Sequence, residues 1–366
     1  MGFVDIIGVA TGYIKQDFKL SDLIVQFLPM MVLLWYFVLS VPAGILQDRY
    51  GKRKMLNLGM LVQAAGLGLP FIHYSFGMMF VSFILLGIGN TIIQVSANPL
   101  LQDVSPAERL PSYLSTSQFI KAIISFLGPI IATFFAVSFG NWRLVFAVYG
   151  ITSIIAALWL SVTSIEESKP ERKPASFSSC FGLLGDRFIA LMALSIFLIV
   201  GTEVAVNTNI ANVLVAGYGI AFEKAAMGIS IFFAGETISR FLGAIILNYL
   251  RPRLFLLIIA LLALAGVAGV FLAPLVSLAF VSIFILGLGA GSMFPVIFSI
   301  ALKKNPDRAN EISGLLIMAV SGGAVIPLVM GLFITLFGPL ASLSVIAACM
   351  LYILWVSWYL RDKTGQ

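Results

Sequence analysis

The sequence predicts an all-α membrane protein: twelve transmembrane helices in two pseudo-symmetric six-helix bundles. Three observations carry this expectation. First, 60% of the 366 residues are hydrophobic and 10% are charged, with a mean hydropathy of +1.06. Soluble domains are about 45–50% apolar and about 25% charged. Second, the apolar residues fall in runs of roughly 17–25 without two-residue alternation, which is the signature of spanning helices and not of barrel strands. Third, the second half of the chain repeats features of the first at an offset of about 200 residues.

In chain order, the runs are centred on residues 3–16, 23–47, 55–72, 77–102, 112–138, 142–163, 188–217, 223–247, 254–272, 276–302, 311–337 and 340–360. The first, Met1 to Ile14, reaches only about 21 Å at 1.5 Å per residue, against a hydrocarbon core of about 30 Å. It lacks the basic start and small-residue cleavage site of a signal peptide, so an internal start that removes part of this helix is expected. Orientation follows from the loops. Sixteen Lys and Arg, among them Arg49, Lys52, Arg53 and Lys54, fall in the even-to-odd loops and the C-terminal tail, against four on the opposite side. The rich side, with the C-terminus, is expected to be cytoplasmic. The polar stretch "EESKPERKPASFSSCFGLLGDR", 166–187, reads as a linker between an N-terminal bundle, 1–165, and a C-terminal bundle, 188–366.

The repeat is specific. "LGIGN", Leu86 to Asn90, recurs as "LGLGA", Leu286 to Ala290, and Pro106 aligns with Pro306. Parallel halves of this kind are a transporter architecture. Other functions are disfavoured. The basic residues lie in short loops, so the net charge of +6 does not point to nucleic acid. Two cysteines, Cys180 and Cys349, and one histidine, His73, supply neither a disulfide framework nor a metal site. No GxxxxGK[ST] phosphate loop occurs. An enzyme is not expected, and no cofactor is.

"DRYGKRK", Asp48 to Lys54, resembles the signature loop of the major facilitator superfamily, which implies gating or structural roles for Asp48, Arg49, Gly51 and Arg53. "QVSANPLL", "VGTEVAV", "SRFLGAIIL", "MFPVIFSIALK" and "MAVSGGAVIPLVMG" resemble the fucose:proton symporter family, especially its glucose/galactose-type members. The resemblance implies a proton-coupled sugar importer working by alternating access. The sequence departs from that pattern where Gln94 replaces a glutamate of fucose-type members, where Asp5 stands in place of an acid expected near Thr11, and where Lys121 replaces an asparagine.

An ionised side chain at mid-membrane costs roughly 2.5–3.5 kcal/mol on insertion scales, so it faces protein or a water-filled cavity. Lys121 lies nine residues beyond Ser112, about 13 Å along the helix. It shares a face with Gln118 and Ser125. Asn90, Gln94 and Asn98 recur every four residues as a polar stripe, with hydroxyl binding or interhelical amide bonding as its uses. Glu203 and Asn207 share a face in the seventh run, whose asparagines also fit a partly unwound helix end. Glu236 and Arg240, spaced i, i+4, read as a structural pair. That leaves Asp5 and Glu203 against Lys121, one acid in surplus, and a desolvated carboxylate is a natural proton carrier. Lys121 is expected to pair with Glu203 or Asp5 in one state. Tyr13, Phe27, Trp35 and Tyr36 suit sugar stacking less well than packing or lipid contact.

The expected function is import of a sugar or sugar derivative by proton symport around a midplane site in a bacterial inner membrane. The partners are the small-molecule substrate, protons and the lipid bilayer, with the protein monomeric. The alternatives are symport of an anionic substrate such as a sugar acid, efflux of hydrophobic compounds by proton antiport, and a non-transporting membrane receptor.

Overall fold

The computed structural model describes residues 7–20, 22–167 and 175–362, all of them in helices and short connections. Asp5 lies outside the described residues. Helices α1 (Ile7–Asp17), α2 (Asp22–Tyr50), α3 (Lys52–Ile72), α4 (Phe76–Val104), α5 (Leu110–Phe139) and α6 (Leu144–Val162) precede a short linker helix, α7 (Phe177–Gly182). After it come α8 (Arg187–Tyr218), α9 (Phe222–Ile246), α10 (Pro252–Leu272), α11 (Val276–Ala290), α12 (Met293–Lys304), α13 (Ala309–Met318), α14 (Gly322–Phe337) and α15 (Leu343–Asp362). Among the described residues, ten stretches are long and apolar enough to cross a membrane, with α11–α12 and α13–α14 each forming one broken span. The shorter apolar helix α15 and the 11-residue α1 bring the count of helical segments to the twelve expected.

The chain divides into two compact units. The first comprises Met1–Ser105, Ile120–Leu183 and Asn305–Met318; the second comprises Pro106–Phe119, Leu184–Lys304 and Ala319–Gln366. These cut across the division at the linker in two places, because the start of α5 packs with the second unit and α13 packs with the first. In the first unit, α3 lies along α4, and α4 against α2. Leu28, Val32, Leu67, Phe83, Leu86 and Phe146 form part of its buried core. Helix α13 packs against α2 and α4, with Ser313 Oγ donating to the Val95 carbonyl at 2.7 Å. In the second unit, α8 contacts α9, α12 and α14, and α10 lies along α11.

The sequence repeat is reproduced as packing within each unit. A Cβ on Gly87 would stand 2.9 Å from the Val32 Cα in α2, and one on Gly89 would stand 2.7 Å from the Gly59 carbonyl oxygen in α3. In the second unit, a Cβ on Gly287 would meet the Phe232 carbonyl oxygen of α9 at 2.2 Å, and one on Gly289 the Ala263 nitrogen of α10 at 2.3 Å. Only glycine lets backbones approach this closely, as small residues do at membrane helix interfaces.

Helix α8 runs unbroken for 32 residues through Asn207 and Asn209. The partly unwound end weighed for this helix is absent. Breaks occur instead at Gly291–Ser292, between α11 and α12, and at Ala319–Ser321, a short turn of tighter helix between α13 and α14.

Candidate functional site

Among the described residues, each unit carries a cluster of buried polar side chains inside its spans. In the first unit the α4 stripe meets α2. Tyr36 is 4% exposed, Asn90 0% and Gln94 6%. Gln94 Nε2 donates to the Tyr36 hydroxyl at 2.6 Å, and Asn90 Nδ2 donates to the same oxygen. The spacing of four that places both amides on one face of α4 thus aims both at one phenol. The Asn90 carbonyl oxygen is buried without a hydrogen-bond partner. The Trp35 indole nitrogen is likewise buried and unpartnered. Asn98 is also buried, before Pro99, and does not join this group. Tyr36 is therefore neither lipid-facing nor simple packing. Its involvement carried no signal in sequence spacing, because it lies 54 positions from Asn90.

In the second unit, Arg240 of α9 lies between two carboxylates. Its guanidinium is 3.4 Å from Glu236 on the same helix and 3.5 Å from Glu203 of α8. Its Nε donates to the Gly291 carbonyl at 3.1 Å, where the span breaks between α11 and α12. The side chains are 1% exposed for Glu236, 13% for Arg240 and 19% for Glu203. The intrahelical pair read from spacing is a three-residue cluster, and Glu203 is part of it. Two carboxylates on one guanidinium leave one negative charge over, which a single proton neutralises.

Gln118 is buried in the second unit. Lys121 is half-buried in α5, in the first unit. Asn207 is exposed. Side chains before Ala10 and that of Phe27 lie outside the described residues. Tyr13 stacks on Trp142 with ring centroids 5.1 Å apart.

The "DRYGKRK" loop organises one end of the first unit. Gly51, with φ +92°, makes the tight turn between α2 and α3. The Glu167 carboxylate accepts from the Lys52 and Arg53 amides at 2.6 and 3.3 Å, an acid at a helix N-terminus. Lys52 forms a buried ion pair with Asp103 at 2.6 Å. Arg53 donates from Nε to the Leu160 carbonyl at 2.9 Å and from its guanidinium to that of Ser161. Asp48 accepts from the Ala175 amide at 2.9 Å and from Asn310 Nδ2 at 2.5 Å. Ser179 of α7 donates to Glu311 at 2.5 Å, and Glu311 also receives Arg308 at 2.7 Å. Arg49 is exposed. Asn310, Glu311 and Ser179 lie far along the chain from the loop they serve, so no local motif marks them.

Apolar spans in a twofold repeat, with amides and ion pairs buried at mid-helix, define a multi-pass membrane transporter. Comparison with known proteins makes this particular. The profile of the Major Facilitator Superfamily matches residues 1–326, and the chain belongs to that family, one of transporters and not of enzymes. A glucose/galactose transporter of Brucella abortus (strain 9-941) is 27% identical over 345 residues, covering 87% of this chain and 81% of that protein. Among solved structures, the fucose:proton symporter FucP of E. coli superposes with a TM-score of 0.84 at 18% identity, covering 98% of this chain and 96% of that one. The proton:xylose symporter XylE superposes with a TM-score of 0.79 at 16% identity, covering 98% and 92%. At these identities the two structures are likenesses of fold.

Proposed function

We propose that the protein imports a neutral sugar, a hexose of the glucose or galactose type, together with a proton, by alternating access around a site at mid-membrane. The single observation that carries the reading is the buried amide pair of α4 held on Tyr36. Amides that offer acceptors inside a span suit a polyhydroxyl solute, and the relatives named as glucose/galactose transporters cover most of this chain. Asn98, Gln118, Lys121 and Asn207 complete the candidate contacts. Lys121 favours a second reading, an anionic sugar derivative held by its ammonium group.

The coupling proton is assigned to Glu203, with Asp5 as the other candidate. Glu203 is the more exposed of the two acids around Arg240, so it exchanges with water more readily, and a proton there balances the cluster's charge. The loop contacts of Asp48, Gly51 and Arg53 are assigned to gating. Loop charge supports a cytoplasmic C-terminus, and the bacterial relatives support an inner membrane.

Proteoliposomes carrying an imposed pH gradient test this reading. Wild-type protein should concentrate labelled glucose or galactose above equilibrium, and Glu203→Gln should equilibrate sugar without concentrating it. If Glu203→Gln concentrates sugar as wild type does, Glu203 is not the coupling acid. If hexuronates are taken up and hexoses are not, the substrate is the anion.

A further inference from the structure

We infer that Tyr36 is a specificity-setting residue: by accepting hydrogen bonds from both Asn90 and Gln94, it turns their carbonyl oxygens toward the ligand, so that the ligand group met there must be a hydrogen-bond donor. This rests on the sugar-transport reading and deepens it by fixing the polarity of one contact.

An amide side chain carries two donors on its nitrogen and an acceptor oxygen, and its orientation is set by whatever holds one end. Here one phenol oxygen takes Nε2 of Gln94 at 2.6 Å and also Nδ2 of Asn90. Both nitrogens are thereby committed to the same atom. Both oxygens therefore point elsewhere. Among the described residues nothing donates to either: Asn90 Oδ1 is buried without a partner, and Gln94, which keeps 6% exposure, has its one hydrogen bond on the nitrogen. A buried acceptor without a donor is costly, and Asn90 Oδ1 is one; with the Gln94 oxygen one helical turn along the same face, it makes a site that rewards hydroxyl protons. A carboxylate, which only accepts, gains nothing from either oxygen. Without the phenol oxygen the amides are free to rotate, and the requirement for a donor disappears.

The second unit offers a contrast at the equivalent notch of the repeat. Where Gly87 of α4 lets it close on α2 at Val32 and Trp35, beside Tyr36 in the chain, Gly287 of α11 lets it close on α9 at Phe232 and Glu236, the latter paired with Arg240. One notch is built of neutral hydrogen-bonding groups and the other of charges. The ligand's donor groups belong with the first.

The experiment uses the full chain in proteoliposomes, with D-glucose and D-galactose as transported probes. Competitors are their monofluoro-deoxy analogues, in which each hydroxyl in turn becomes a fluorine that cannot donate. For wild type, fluorination of at least one position should weaken competition by roughly three- to tenfold, the worth of one neutral hydrogen bond. In Tyr36→Phe, which keeps the ring and removes only the oxygen, the penalty at that position should shrink to about twofold or less, while KM for the parent hexose rises by a similar factor and turnover changes less. Tryptophan-fluorescence titration in detergent reads the same ratio if the variant binds without transporting, and its melting curve shows whether it is folded. An unchanged fluoro penalty in folded Tyr36→Phe, or no penalty at any position in wild type, overturns the role of Tyr36. Wild-type protein that neither transports nor binds any hexose overturns the sugar reading itself, a different and recognisable result.

Discussion

The guanidinium of Arg240 in α9 lies 3.5 Å from the carboxylate of Glu203 in α8. The contact joins two helices through charge inside the span region, with Glu236 3.4 Å from the same guanidinium nitrogen. Removing the cation takes the guanidinium away from both acids, one of them, Glu236, only 1% exposed. Arg240→Ala is therefore expected to destabilise the protein by about 3 kcal/mol or more, in the range for breaking a buried pair. Adding Glu236→Gln should recover part of that loss. Thermal midpoints in detergent would show both effects, and equal midpoints for the single and double variants would mean that the charge cluster is not what is being disturbed.

Lys52 and Asp103 form a similar test at the loop end of the first unit, since both are 6% exposed and their charged atoms are 2.6 Å apart. Lys52→Met alone should cost about 3 kcal/mol, because it leaves a buried carboxylate unpaired. The double variant Lys52→Met with Asp103→Leu should lie close to wild type. A double-variant cycle from thermal unfolding measures the coupling, and independent additive losses would argue against a paired buried charge.

Glycine contacts predict a contrast along a single helix. A Cβ on Gly322 would fall 1.9 Å from the Phe197 carbonyl oxygen in α8, whereas one on Gly331 would meet nothing within 4 Å. Gly322→Ala should force α14 away from α8 and cost about 1–3 kcal/mol or more. Gly331→Ala should fall within about 0.5 kcal/mol of wild type. Fluorescence-detected size exclusion after a heating series ranks the two; equal midpoints would contradict the close approach.

Tyr74 lies outside the spans, between α3 and α4. Burial first, and then the Asp17 carboxylate that accepts its proton at 2.5 Å, raise its phenol well above the usual value of 10.0. Because the folded state holds the proton more tightly than the unfolded chain, this contribution is complete below about pH 10. It declines as pH rises past that value toward the folded-state titration. Thermal midpoints should fall above about pH 10, with a shallower slope in Tyr74→Phe. Parallel slopes for the two proteins would remove Tyr74 from the alkaline response.

Much of the architecture was legible in the residues alone. Composition and run length determined the helical class and the number of passages, because a bilayer admits only structures that satisfy their own backbone over about 20 apolar residues. The repeated "LGIGN" and "LGLGA" segments marked the paired helix contacts, because a glycine's missing Cβ is a property of the residue wherever it packs. Spacing placed Asn90 with Gln94 and Glu236 with Arg240, each pair four apart on one helix.

What the side chains meet across a helix boundary was decided by tertiary structure. No periodicity joins Tyr36 to Gln94, Arg240 to Glu203, or Asp48 to Asn310, which lie tens to hundreds of residues apart. Charge counting by helix left Glu203 and Asp5 as the two candidates to pair with Lys121, while the fold delivers Glu203 to a guanidinium already shared. The linker was readable as polar, but not as a strap whose Ala175 amide and Ser179 hydroxyl fasten to Asp48 and Glu311. The physical reason is the same in each case. Helical periodicity determines which face of a helix a residue occupies, but the partner of that face depends on how other helices pack, and in this chain packing is set by close backbone contacts distributed over the whole sequence.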